Sequence, residues 1–170
     1  MFSNSLRIIL IIICLVFGIY QFFKGEIYLG FLFTVAAFFL GYGYFRYGNV
    51  WSAFQNLMKG RNIRAEKLIN SVKYPNLLST QQKAYYFFAK GVLEQDKNNW
   101  DEAENYYLKS LEEGLRTSND AAIANLNLAT IYHRKGLLDS ANLSLRNAIE
   151  LPHKTEVETE IQKLRLKLEV

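Results

Sequence analysis

The chain has 170 residues, 20 Lys and Arg against 16 Asp and Glu for a net charge of +4, and half of its residues are hydrophobic. This length holds one compact domain of about 120 residues beside a helical hairpin and excludes a large multidomain enzyme. A single cysteine, Cys14, excludes an intrachain disulfide framework and a cysteine zinc cluster.

Between Ile8 and Phe45 the only charges are Lys24 and Glu26. The stretches 8–23 and 27–45 are 16 and 19 residues without a charge. As helices they reach roughly 24 and 28 Å, against a hydrocarbon core of about 30 Å. The expectation is a two-span transmembrane hairpin over 1–46, turning at Lys24-Gly25-Glu26. No small-x-small cleavage triplet closes the first run, so a signal peptide does not fit. Cys14 lacks the flanking residues of a lipoprotein signal and reads as a packing residue. Cys14–Gly18 and Ala37–Gly41 are small-xxx-small steps, which allow close helix packing. Tyr20, Tyr28, Tyr42, Tyr44, Tyr47 and Trp51 are placed as interfacial aromatics.

Basic residues cluster after the second run. Residues 46–90 carry eight Lys or Arg against Glu66 alone, net +7, whereas 91–170 carry ten basic and fourteen acidic residues, net −4. The positive-inside rule then places both termini in the cytoplasm. Arg46, Lys59, Arg61, Arg64 and Lys67 become a basic surface facing anionic lipid, so the bilayer is an expected partner. No nucleic-acid motif accompanies these charges, and no nucleic-acid partner is expected.

Residues 47–170 show an internal period. Ala53 and Ala65, Gly91 and Ala103, and Ala129 and Ala141 are each 12 apart, and their starts, 53, 91 and 129, are 38 apart. A small residue on each of two consecutive helices is what a close antiparallel crossing requires. The third copy reads Leu128-Ala129-x2-Tyr132, then Ala141-x3-Leu145, Ala148 and Pro152. The middle copy has Phe87, Gly91, Trp100-Asp101-Glu102-Ala103 and Tyr107, with Lys90 and Glu94 departing from the pattern; the first keeps Ala53, Ala65 and Ile69. These residues resemble the tetratricopeptide repeat over about 48–152. The longer period puts extra residues into the connections 74–83 and 112–120.

Ser79-x-x-Gln82 and Thr155-x-x-Glu158 have capping-box form, and Asn99 stands where an N-cap belongs. Val157, Ile161, Leu164 and Leu168 make one amphipathic face, so 155–170 is expected to be a capping helix. The fold expectation is all-α: a transmembrane hairpin, then a short tetratricopeptide-like α-solenoid of about three helix pairs with a C-terminal cap.

No phosphate loop, dinucleotide fingerprint or H-E-x-x-H occurs. His133 and His153 are isolated, and the Glu156, Glu158, Glu160 alternation suits a helix start. No catalytic residue, metal, cofactor or small-molecule substrate is expected. The resemblance instead implies a groove for a protein partner, lined by Tyr85, Phe88, Val92 and Gln95 in the middle copy and by Leu126, Thr130, His133 and Arg134 in the third. Phe88 and Val92 stand where peptide-carboxylate clamps of this family carry lysine and asparagine, so that clamp is not expected. The functional expectation is a membrane-anchored adaptor that recruits partner proteins, themselves membrane-associated, at the cytoplasmic face. The alternative is an accessory subunit of a membrane complex bound through the hairpin.

Overall fold

The computed structural model describes residues 4–47 and 49–168, excepting the side chains of 4–7 and 44–47. Nine α-helices and no strand occur among the described residues. The first two, α1 (Asn4–Phe23) and α2 (Ile27–Tyr47), pack together as a hairpin. Gly25 at φ +80° makes the turn, with the Gly25 and Glu26 amides returning to the Phe22 and Gln21 carbonyls. A Cβ at Gly18 would lie 3.3 Å from the Gly30 carbonyl oxygen, and one at Gly30 would enter the Phe22 ring at 2.8 Å, so these glycines allow the crossing. Cys14 is half-buried and Ala37 buried, but the space beside Gly41 is open.

The two-span expectation is corrected here. Among the described residues no helix is long and apolar enough to cross a membrane. The charge-free part of α1, 8–23, reaches roughly 24 Å, short of a hydrocarbon core of about 30 Å. The cytoplasmic assignment of both termini rested on those spans and falls with them.

Three helix pairs follow: α3 (Val50–Leu57) with α4 (Asn62–Asn70), α5 (Thr80–Asp96) with α6 (Trp100–Glu113), and α7 (Ser118–Arg134) with α8 (Leu138–Glu150). The pairs repeat with a 38-residue period that reaches their backbone conformation. Gly60, Asn98 and Gly136 occupy equivalent turns and have φ +67°, +63° and +74°. Each donates its amide to the carbonyl three residues back, and the next residue's amide reaches the carbonyl five back, which closes the helix ends with left-handed caps. The second helices begin at 62, 100 and 138, again in register. The small residues sit at the crossings as the period predicts: Ala53, Ala65, Ala103, Ala129 and Ala141 are fully buried, and Gly91 lies beneath the Tyr107 ring.

Successive pairs are joined by α5 on α3 and α4, and by α7 on α6. A single 3-10 turn, Pro75–Leu77, fills the first connection. Ser79 caps α5, its hydroxyl accepting from the Gln82 amide at 3.4 Å, and Thr117 caps α7 on Asp120 at 3.1 Å. Asn99 stands at the start of α6 without capping it; its side-chain amide donates to Glu94. The final helix, α9 (Thr155–Leu168), buries Val157, Ile161 and Leu164 against α7 and α8. Its start differs from the capping-box expectation: the Val157 and Glu158 amides bond to the Lys154 carbonyl, while the Glu158 carboxylate engages His153 and Gln162.

Candidate functional site: a face on the first helices

The expected groove residues divide into three groups. Tyr85, Phe88 and Leu126 are 3%, 1% and 8% exposed and belong to the core, so they present no groove surface. Phe88 and Leu126 are equivalent positions, matched by fully buried Val50 in α3. Tyr85 packs edge-on against Trp51 and Phe54, and its hydroxyl donates to the buried Asp120 carboxylate at 2.5 Å. Burial first, then the Asp120 hydrogen bond and charge, push the Tyr85 hydroxyl far above its ordinary pKa. This contact ties the second pair to the third.

Arg134 forms the second group. Its guanidinium lies 4.8 Å from the centre of the Trp100 ring. The positions one period earlier are Asp96 and Asn62, and they too meet, Asn62 donating its side-chain amide to Asp96. The same two places therefore couple consecutive pairs twice, by hydrogen bond and then by cation–π contact. A second ladder runs beside it: Lys97 pairs with Glu66 at 2.9 Å, and Lys135, one period on, with Glu104 at 2.6 Å and with Asp101. Asp101, then Glu104, hold the Lys135 ammonium above its usual pKa, and Glu66 acts first on Lys97. Arg134 is thus a stacking residue.

Val92, Gln95, Thr130 and His133 remain, all half-buried. They form two equivalent steps along successive first helices, Val92 to Thr130 and Gln95 to His133. The Thr130 hydroxyl is used within its helix, donating to the Leu126 carbonyl at 2.9 Å. Gln95 accepts from the Tyr107 hydroxyl at 2.9 Å. The residue equivalent to Tyr107 in the third pair is Leu145, which has no hydroxyl to offer. His133 Nδ1 is accordingly buried without a hydrogen-bond partner. The sequence held this asymmetry in Tyr107 against Leu145, and only the residue-by-residue register exposes it.

Lys59, Arg61, Arg64 and Lys67 surround the turn between α3 and α4, all exposed; the side chain of Arg46 lies outside the described residues. No group of three or more His, Cys, Asp or Glu gathers as a metal site among the described residues. Comparison of the chain with protein-family models, with curated proteins and with solved structures finds no match in any of the three. The class that the fold defines is an all-α chain of stacked helix pairs.

Proposed function

We propose that the helix pairs are tetratricopeptide-like repeats forming a protein-interaction adaptor, and that the partner docks along the face marked by Val92, Gln95, Thr130 and His133. The observation that carries this reading is the ladder of half-buried equivalent positions along successive first helices, Val92 with Thr130 and Gln95 with His133. The half-buried, uncharged side chains of Val92, Gln95 and Thr130 suit an extended or amphipathic segment of another protein. Val92→Lys with Thr130→Lys in the full chain tests the reading, because charge at two half-buried steps repels an apolar segment while the lysine stems remain free to reach solvent. Loss of a co-purifying partner from a variant with unchanged helicity is the expected result; retention refutes it.

A second reading is favoured by the outer surface of the α1–α2 hairpin. Val16, Phe31, Phe38 and Phe39 are 61–70% exposed there. A contiguous apolar surface of this kind marks an interaction site. The chain then serves as an accessory subunit held by its hairpin. A partner lost on Val16→Gln with Phe38→Gln, but kept in the Val92/Thr130 variant, supports this second reading.

A further inference from the structure

The three inner turns of the helix pairs show what this turn needs in order to fold: a left-handed residue at 60, 98 and 136, with a lysine just before it at 59, 97 and 135. Nothing else at the tip recurs. Arg61 is matched by Asn99 and Leu137, Arg64 by Glu102 and Ser140, and Lys67 by Asn105 and Leu143. The three cations are therefore outside the requirements of the repeat.

Arg61, Arg64 and Lys67 line a shallow, open cleft along the start of α4, together with Gly60, Asn62 and Ile63. All three are exposed, and no ion pair among the described residues involves them. The acids nearest in the ladder are engaged elsewhere, Glu66 with Lys97 and Asp96 with Asn62. Three cations on adjacent turns without counter-charge raise the local positive potential and attract an anion. The α4 backbone adds to this. Its first turn carries no acidic residue, whereas α6 has Asp101 and Glu102 and α8 has Asp139 in the same places.

We propose that the cleft at the α3–α4 turn is a binding site for a phosphate group, carried by a lipid headgroup or by a free phosphate compound. Three cations, two of them guanidiniums, suit the oxygens of a phosphate. The site lies on different helices from the adaptor face and does not depend on it.

The test uses the full chain. Amide spectra are recorded with inorganic pyrophosphate, and sedimentation is measured with vesicles of phosphatidylcholine alone or mixed with phosphatidylserine. Two variants carry the same charge loss: Arg61→Gln/Arg64→Gln/Lys67→Gln, and Lys73→Gln/Arg146→Gln/Lys167→Gln. The proposal expects binding that the first variant weakens by at least about tenfold and the second leaves intact. Saturable shifts at 60–67 with pyrophosphate assign a free phosphate compound. Binding only to the phosphatidylserine mixture, beyond what pure phosphatidylcholine captures through the apolar hairpin, assigns a headgroup. Equal weakening in both variants means diffuse charge attraction and overturns the site, as does the absence of binding to either probe.

Discussion

Placing a methyl group at Gly91 tests the packing of the repeat at its tightest point. A Cβ there would lie 2.9 Å from two carbons of the Tyr107 ring and 3.1 Å from a third. Ordinary carbon contacts are about 3.5–4.0 Å, so the ring must retreat by roughly 0.6 Å. It has little room. Tyr107 is fully buried, meets the Phe88 ring at 5.8 Å between centroids and is held by Gln95 through its hydroxyl. Overpacking of this kind costs about 1–3 kcal/mol, and the change from glycine to alanine in a helix returns about 1 kcal/mol. Gly91→Ala is therefore expected to lose about 1 kcal/mol, or about 2–4 °C in Tm for a chain of this size. Gly91→Leu should lose more than about 3 kcal/mol. Urea denaturation followed by far-ultraviolet circular dichroism measures both. If Gly91→Ala stabilises the protein by its full helix-propensity gain, Tyr107 does not rest on Gly91 and the crossing is wrongly described.

Three further outcomes are expected. Tyr85→Phe removes the donor to buried Asp120 and should cost about 1.5–3 kcal/mol by urea titration; a neutral effect would mean that the second and third pairs are not tied there. Phe88→Glu buries an unpaired carboxylate in the core and should abolish cooperative unfolding, whereas a folded Phe88→Glu protein would place this residue on the surface. The third concerns pH. Both His153 ring nitrogens face acceptors, the Leu151 carbonyl at 2.6 Å and the Glu158 carboxylate at 2.7 Å, so the imidazole is fully satisfied only when doubly protonated. Glu158, then the Leu151 carbonyl, hold the His153 pKa above its ordinary value, while Gln162, then His153, hold the Glu158 carboxyl below its own. The His153 contribution is complete below about pH 6.5 and is lost as pH rises through the raised value; that of Glu158 is complete above the usual carboxylate range and lost as pH falls through the lowered one. Amide exchange in α9 should accordingly quicken from pH 6 to pH 8 beyond its intrinsic base dependence, and His153→Gln should remove the excess.

Much of the architecture was legible as spacing. The six small residues announced the three crossings, and the amphipathic face of Val157, Ile161 and Leu164 announced α9. The left-handed turns were harder to see because one of the three is Asn98, and the stacking ladders join residues 31 apart, Glu66 to Lys97 and Glu104 to Lys135, on different helices. Family alignment assigns a whole helix face to the ligand without regard to what packs on it. Here α5 packs on α3, which buries Tyr85 and Phe88. Hydropathy found the apolar helices of the hairpin without deciding whether their length suffices to cross a bilayer.

The central claim is that a partner docks on the first-helix face, and crosslinking with a photoreactive side chain tests it most directly. The group is placed in turn at Thr130, at Asn105 on the exposed side of α6, and at Val16 on the hairpin, with helicity checked each time. The account predicts a crosslinked partner from position 130 and none from position 105. A partner captured only from 105 or only from 16 contradicts it.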